Sequence, residues 1–92
     1  MELTSKRRAE LKAKAHDLDP VVHIGKYGVT PESLANIDQA LTDHQLIKVK
    51  FLGFKERRRE FSDEIAGATG STLIDVIGNV AILYRENPEV SE

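Results

Sequence analysis

Pro20-Val21-Val22-His23-Ile24-Gly25-Lys26-Tyr27-Gly28-Val29-Thr30-Pro31-Glu32 sets three structural signals side by side. Val21, Val22 and Ile24 are β-branched and read as a short strand, Pro20–Ile24. Gly25 to Gly28 reads as a tight loop. Thr30 is a good N-cap and Pro31 suits a first helical position, so a helix starts there. A strand that passes through a glycine loop into a helix N-terminus presents backbone N–H groups to an anion. Glycine at 25 and 28 also admits positive φ or the close approach of another backbone. Lys26 adds a mobile positive charge and Tyr27 a flat ring. Two readings follow: a clamp on a nucleic-acid backbone, or an ordinary β-to-α turn. Four residues alone favour the turn.

Upstream, Thr4 or Ser5 caps a first helix running to about Asp17, with Leu11, Ala15 and Leu18 as a thin apolar stripe. Lys6, Arg7, Arg8, Lys12 and Lys14 occupy the rest of its circumference, with several of these cations at the unfavourable end of the helix dipole. Downstream, the second helix runs to about Asp43 with Leu34, Ile37 and Leu41 on one face. Its exposed residues, Glu32, Asn36, Asp38 and Asp43, lean acidic, which makes that face a poor candidate for RNA. Leu46–Leu52 alternates, with Ile47, Val49 and Phe51 to one side and Lys48 and Lys50 to an open sheet face. Those lysines are phosphate contacts or solvated positions, with the balance slightly toward contact. A third helix spans about Lys55 to Ala68, its stripe formed by Phe54, Phe61, Ile65 and Ala68. Lys55, Arg57, Arg58 and Arg59 crowd its start, and Arg59–Asp63 is spaced to pair at i, i+4. The cluster is a phosphate-binding arrangement or a solvated face. Gly70 closes the helix. Thr72–Ile77 and Val80–Arg85 form a hairpin around Gly78-Asn79, and Asn87-Pro88 ends the structure before an acidic tail. The expected fold is therefore α/β (α+β), a compact single domain in the order α-β-α-β-α-β-β. Its four-stranded mixed sheet is packed by helices. The domain covers residues 1–87 and the tail 88–92.

With 92 residues the chain makes one small domain. Cysteine is absent, which excludes disulfides and thiolate metal sites. No apolar run approaches the ~18 residues of a membrane span, and the basic N-terminus lacks an apolar signal core. The expected location is cytoplasmic. Net charge is −2, yet residues 1–59 hold 12 of the 13 Lys/Arg and stand at +4, while residues 60–92 stand at −6. The asymmetry describes a basic working surface on an acidic remainder, or an unevenly charged solvated surface.

Sequence support for catalysis is weak. His16, His23 and His44 lack metal-ligand spacing. Glu60 and Glu64 share a helical face but read as solvated. Gly25-Lys26 lacks the remainder of a P-loop, and there is no GxSxG elbow. The chain is expected to be a binding module rather than an enzyme, with no metal and no cofactor.

Leu3-Thr4-Ser5-Lys6-Arg7, Ala15-His16, Leu18, Pro20-Val21-Val22, Ile24-Gly25-Lys26, Gly28-Val29-Thr30, Leu46-Ile47-Lys48-Val49-Lys50, Ala68-Thr69-Gly70, Val76-Ile77-Gly78 and Leu83-Tyr84-Arg85 occur in that order. Together they resemble the YhbY-like, CRM-domain family of RNA-binding proteins over about residues 3–85. The resemblance implies a compact α/β domain similar to the C-terminal domain of a bacterial translation initiation factor. It also implies RNA binding through a GxxG loop like that of KH domains. Carried across, that loop is Gly25, Lys26, Tyr27 and Gly28, and Lys6, Arg7 and Arg8 belong to its basic surround. Lys12, Lys48, Lys50, Lys55, Arg57, Arg58 and Arg59 complete the expected RNA-contacting set.

Stand-alone bacterial members of the family resemble assembly factors for large-ribosomal-subunit precursors. The implied partners are thus ribosomal RNA, with ribosomal proteins as helpers in docking. Two departures stand out: Tyr27 replaces the small residue of many relatives, and the overall balance is acidic. The competing expectation is a protein-interaction adaptor using Glu60 to Glu92. A third is an enzyme acting on a phosphorylated ligand at the Gly25–Thr30 helix start.

Overall fold

The computed structural model describes residues 3–86. Three helices and four strands follow in the order α1 (Ser5–Ala15), β1 (Val22–Ile24), α2 (Pro31–His44), β2 (Leu46–Phe51), α3 (Arg58–Thr69), β3 (Thr72–Ile77) and β4 (Val80–Tyr84). The strands form one sheet in the order β1-β2-β4-β3. β1 runs parallel to β2, whereas β4 lies antiparallel to both β2 and β3. The mixed sheet and the element order expected from the sequence are both present. Asn87-Pro88 and the acidic tail lie outside the described residues.

Alternation in β2 and β4 divides the interior into two cores. Ile47, Val49, Phe51, Ala81 and Leu83 face α2 and α3, meeting Ile37, Leu41, Phe61 and Ile65. On the other face Ile74, Ile82 and Tyr84 meet Leu11 and Ala15 of α1. Each large aliphatic side chain buried there stabilises by about 1.5–3 kcal/mol, which lets a helix with a two-residue stripe dock firmly. The face bearing Lys48 and Lys50 is therefore partly covered by α1 rather than open.

Local chemistry sets the element ends. α1 stops at Ala15, short of Asp17, and Leu18 lies beyond the helix, 38% exposed. The Lys48 ammonium donates to the carbonyls of His16 (3.4 Å) and Leu18 (3.0 Å), cationic capping at a helix C-terminus. β1 begins at Val22 rather than Pro20, with Val22 and Ile24 buried and His23 exposed between them. Thr30 and Ser33 form a reciprocal capping box at the start of α2.

α3 starts at Arg58 rather than Lys55. Arg57 at its N-cap offers no side-chain acceptor, and Phe54 takes φ 56°. That conformation turns the ring inward onto Phe61, with centroids 5.0 Å apart in edge-to-face contact. At the far end of the α3 stripe, Thr69 is buried and Ala68 exposed. The Thr69 hydroxyl is satisfied by donating to the Ile65 carbonyl at 2.8 Å.

Candidate functional site

The C-terminal ends of β1 and β2 and the β3–β4 turn converge at one end of the sheet. Leu52 N–H donates to the Ile24 carbonyl (2.9 Å), and Phe51 N–H donates to the Asn79 carbonyl (2.7 Å). Between β1 and α2, the Gly28 N–H closes a turn on the Gly25 carbonyl at 2.9 Å. Gly28 is buried with φ 71°, and a Cβ there would lie 3.8 Å from the Phe54 ring and 3.9 Å from Phe61. The loop therefore sits on an aromatic footing. Its glycines differ in role: only Gly28 needs positive φ, whereas a Cβ at Gly25 would meet nothing within 4 Å. Gly25 keeps the surface bare so that another chain could approach closely.

Lys26 and Tyr27 form the exposed tip. Tyr27 is 81% exposed, and the Lys26 ammonium stands 5.2 Å from its ring centroid. On the same end of the molecule, Lys55 and Arg59 are exposed and form no hydrogen bond or ion pair among the described residues. Arg57 pairs with Glu60 at 2.5 Å and lies 4.5 Å over the Phe61 ring. Arg58 is a fastener: its Nε donates to the Gly53 carbonyl (3.0 Å) and its Nη1 to the Gly78 carbonyl (3.3 Å). At the start of this helix the N-cap Arg57 pairs with Glu60, whereas Arg59 and Asp63 form no ion pair among the described residues.

The other basic residues are placed elsewhere. Arg8 donates to the Leu73 and Ile74 carbonyls (2.8 and 2.9 Å) at the bulge where β3 shifts register. Arg7 lies 5.6 Å over the ring of Tyr84, at the end of β4, and 3.8 Å from Glu10. Tyr84 is paired with Leu46 and Thr72, the first residues of their strands. Lys6, Arg7 and Arg8 therefore sit at the opposite end of the sheet from the glycine loop. They do not form its surround. Lys12 pairs with Asp75 at 2.9 Å, and Lys48 caps α1. Lys50 sits half-buried on the α1 side of the sheet, beside His23 and Val80.

The structure thus gathers Gly25, Lys26, Tyr27, Gly28, Lys55, Arg57, Arg58 and Arg59 at one end and separates the rest. Sequence reading placed Phe54 in the α3 stripe and Asn79 in the hairpin turn, and missed that both brace the loop end. The available signal was an aromatic directly after a strand-breaking glycine. Hydrogen bonding from Lys12, opposed by burial and aided by the Val76 N–H, holds the Asp75 carboxyl below the usual carboxylate range. Among the described residues no three His, Cys, Asp or Glu come together as a metal site, and no helix is long and apolar enough to cross a membrane.

Fold and site describe a small α/β domain whose basic, glycine-flanked tip lies at one end of the sheet. Residues 3–85 match the CRS1/YhbY (CRM) domain, and the chain belongs to that family. A Pseudomonas aeruginosa relative named "Probable RNA-binding protein" is 39% identical over 90 residues, covering 97% of this chain and 86% of its own. A Haemophilus influenzae relative named "RNA-binding protein" is 39% identical over 88 residues, covering 95% and 89%. The solution structure of a hypothetical protein from Staphylococcus aureus superposes with a TM-score of 0.84 at 36% identity, covering 98% of this chain and 95% of that one.

Proposed function

We propose that this protein is a non-enzymatic, cytoplasmic RNA-binding factor that grips ribosomal RNA in large-subunit precursors through its glycine-loop end. One observation carries the reading. An exposed Lys26–Tyr27 tip stands beside the buried Gly28, with the exposed cations Lys55 and Arg59 on the same end, neither in a hydrogen bond or ion pair among the described residues, although the Arg59 charge is felt by Asp75. Lys26, Lys55 and Arg59 neutralise phosphates, and the bare Gly25 lets the RNA backbone come close. Such contacts fix register more than sequence. The relatives named as RNA-binding proteins support the RNA class. Resemblance to stand-alone bacterial assembly factors supports the ribosomal substrate, and ribosomal proteins supplement a docking surface with few free cations.

The test is a salt titration of binding to structured large-subunit ribosomal RNA, comparing wild type with Lys26→Glu. The log–log slope is expected to fall by about 1 in the variant, with weaker binding at every salt concentration. Binding indifferent to salt and to Lys26 would overturn the reading and direct attention to the acidic residues after Glu60.

A further inference from the structure

A cleft of about 200 Å³ opens beside the glycine loop, between the edge strand β1 and the first turns of α2. Val22 and His23 line one side, Gly25 and Tyr27 the loop side, and Glu32 and Asn36 the helix side. Glu32 and Asn36 are one helical repeat apart and share a face. Both are exposed, and neither has a hydrogen-bond or ion-pair partner among the described residues.

This cleft is a poor phosphate site. Pro31 has no N–H, and the Ser33 N–H is already taken by the Thr30 hydroxyl at 3.1 Å. An anion entering there would meet the Glu32 carboxylate, so the acidity that makes this face of α2 a poor partner for the RNA backbone leaves it suited to a base edge rather than a phosphate. The groups on offer are instead an acceptor-only carboxylate, an amide and an exposed aromatic face, in a space the size of one nucleobase.

We infer that the cleft takes one unpaired guanine of the bound RNA, read by Glu32 and Asn36 and flanked by Tyr27. The inference rests on the RNA-binding function proposed above and assigns it a point of base selectivity. The chemistry selects guanine. Its Watson–Crick edge alone sets two donors side by side, N1–H and the N2 amine, which a carboxylate meets with two parallel hydrogen bonds. Uracil places its single N–H between two carbonyl oxygens. Cytosine and adenine set a ring-nitrogen acceptor beside their amine, which repels the second carboxylate oxygen. The Asn36 amide can donate to guanine O6, the remaining group on that edge. Phosphates are held by Lys26 and its neighbours, so backbone grip and base choice fall to different residues.

The experiment measures binding of short single-stranded RNAs by fluorescence anisotropy. One central position is guanosine, inosine or adenosine, in an otherwise uridine context. Wild type is expected to bind the guanosine oligomer roughly tenfold more tightly than the adenosine one. Inosine, lacking the N2 amine, should fall between them. Glu32→Gln presents an NH₂ to those donors and should bring guanosine within about twofold of adenosine, with adenosine binding retained. Lys26→Glu should weaken all three oligomers alike. A wild type that binds all three equally, or a Glu32→Gln variant that keeps the full preference, overturns the guanine site while leaving RNA binding intact. Absence of salt-dependent binding to any oligomer and to structured ribosomal RNA overturns both readings.

Discussion

The Lys12 ammonium lies 2.9 Å from the Asp75 carboxylate, tying α1 to the bulged strand β3. The same carboxylate accepts the Val76 N–H at 2.8 Å, so it organises the bulge as well as the helix contact. Lys12 is therefore engaged in holding the fold.

A pH dependence follows from this pair. Asp75 has a lowered folded-state pKa, mainly through the Lys12 hydrogen bond. The unfolded chain then binds its proton more readily than the folded one, so the stabilisation is present above the ordinary carboxylate range. It is lost as pH falls through the folded-state value. Asp75→Asn should lower stability at neutral pH by at most about 1 kcal/mol, because the pair is partly exposed. The gap to wild type should close as pH drops below the carboxylate range. Thermal melts of both proteins across pH check this; curves that stay parallel into acid would remove Asp75 from the account.

The two loop glycines should respond differently to alanine. Gly28→Ala forces a side chain into φ 71° and costs about 1–2 kcal/mol. For a domain of this size that is a fall in Tm of roughly 4–8 °C per kcal/mol. Gly25→Ala meets no neighbour and no positive φ, so its Tm should stay at the wild-type value. If Gly25 admits the RNA backbone, the same variant should nonetheless bind RNA more weakly. Equal melting temperatures for the two variants would contradict the loop geometry.

Arg58 and Arg59 are adjacent in sequence and opposite in role. Arg58→Ala removes hydrogen bonds to the Gly53 and Gly78 carbonyls and should cost about 1 kcal/mol of stability. Arg59→Ala should leave Tm nearly unchanged and lower the salt slope of RNA binding by about 1. Melting curves and salt titrations on both variants separate the roles, and a reversed pattern would assign Arg58 to the ligand.

The division of labour among the cations was the part of this protein that sequence reading could not reach. Ile47, Val49 and Phe51 announce a strand by local alternation, and Thr30-Pro31 announces a helix by local capping. Both signals act within a few residues, so the element order was legible. Arg8 is held by carbonyls 65 and 66 positions away, and Lys48 by carbonyls 30 and 32 positions away. A charge run carries no mark of such partners. Arg85 is the same case inside the acidic half: its guanidinium joins Asp38, Thr42 and the Thr69 carbonyl, fastening β4 to α2 and α3. The glycine loop was legible as a loop. Its support was not, because Phe54 reaches it only by adopting positive φ, a conformation unfavourable for an aromatic residue and set by packing.

Tyr27 offers the sharpest separation of affinity from stability. At 81% exposure its ring is in contact with Lys26 but not with the core, so the fold gains little from it. Tyr27→Ala should therefore melt within a degree or two of wild type. A base stacked on such a ring contributes about 1–3 kcal/mol, and its loss should weaken single-stranded RNA binding by roughly 5-fold to 150-fold. Tyr27→Phe keeps the aromatic face and should bind nearly as well as wild type. Tyr27→Leu keeps the bulk without the face and should resemble alanine. Anisotropy titrations on the three variants decide the matter. A leucine variant that binds like the phenylalanine variant would make the side chain a steric rim of the loop rather than a stacking surface.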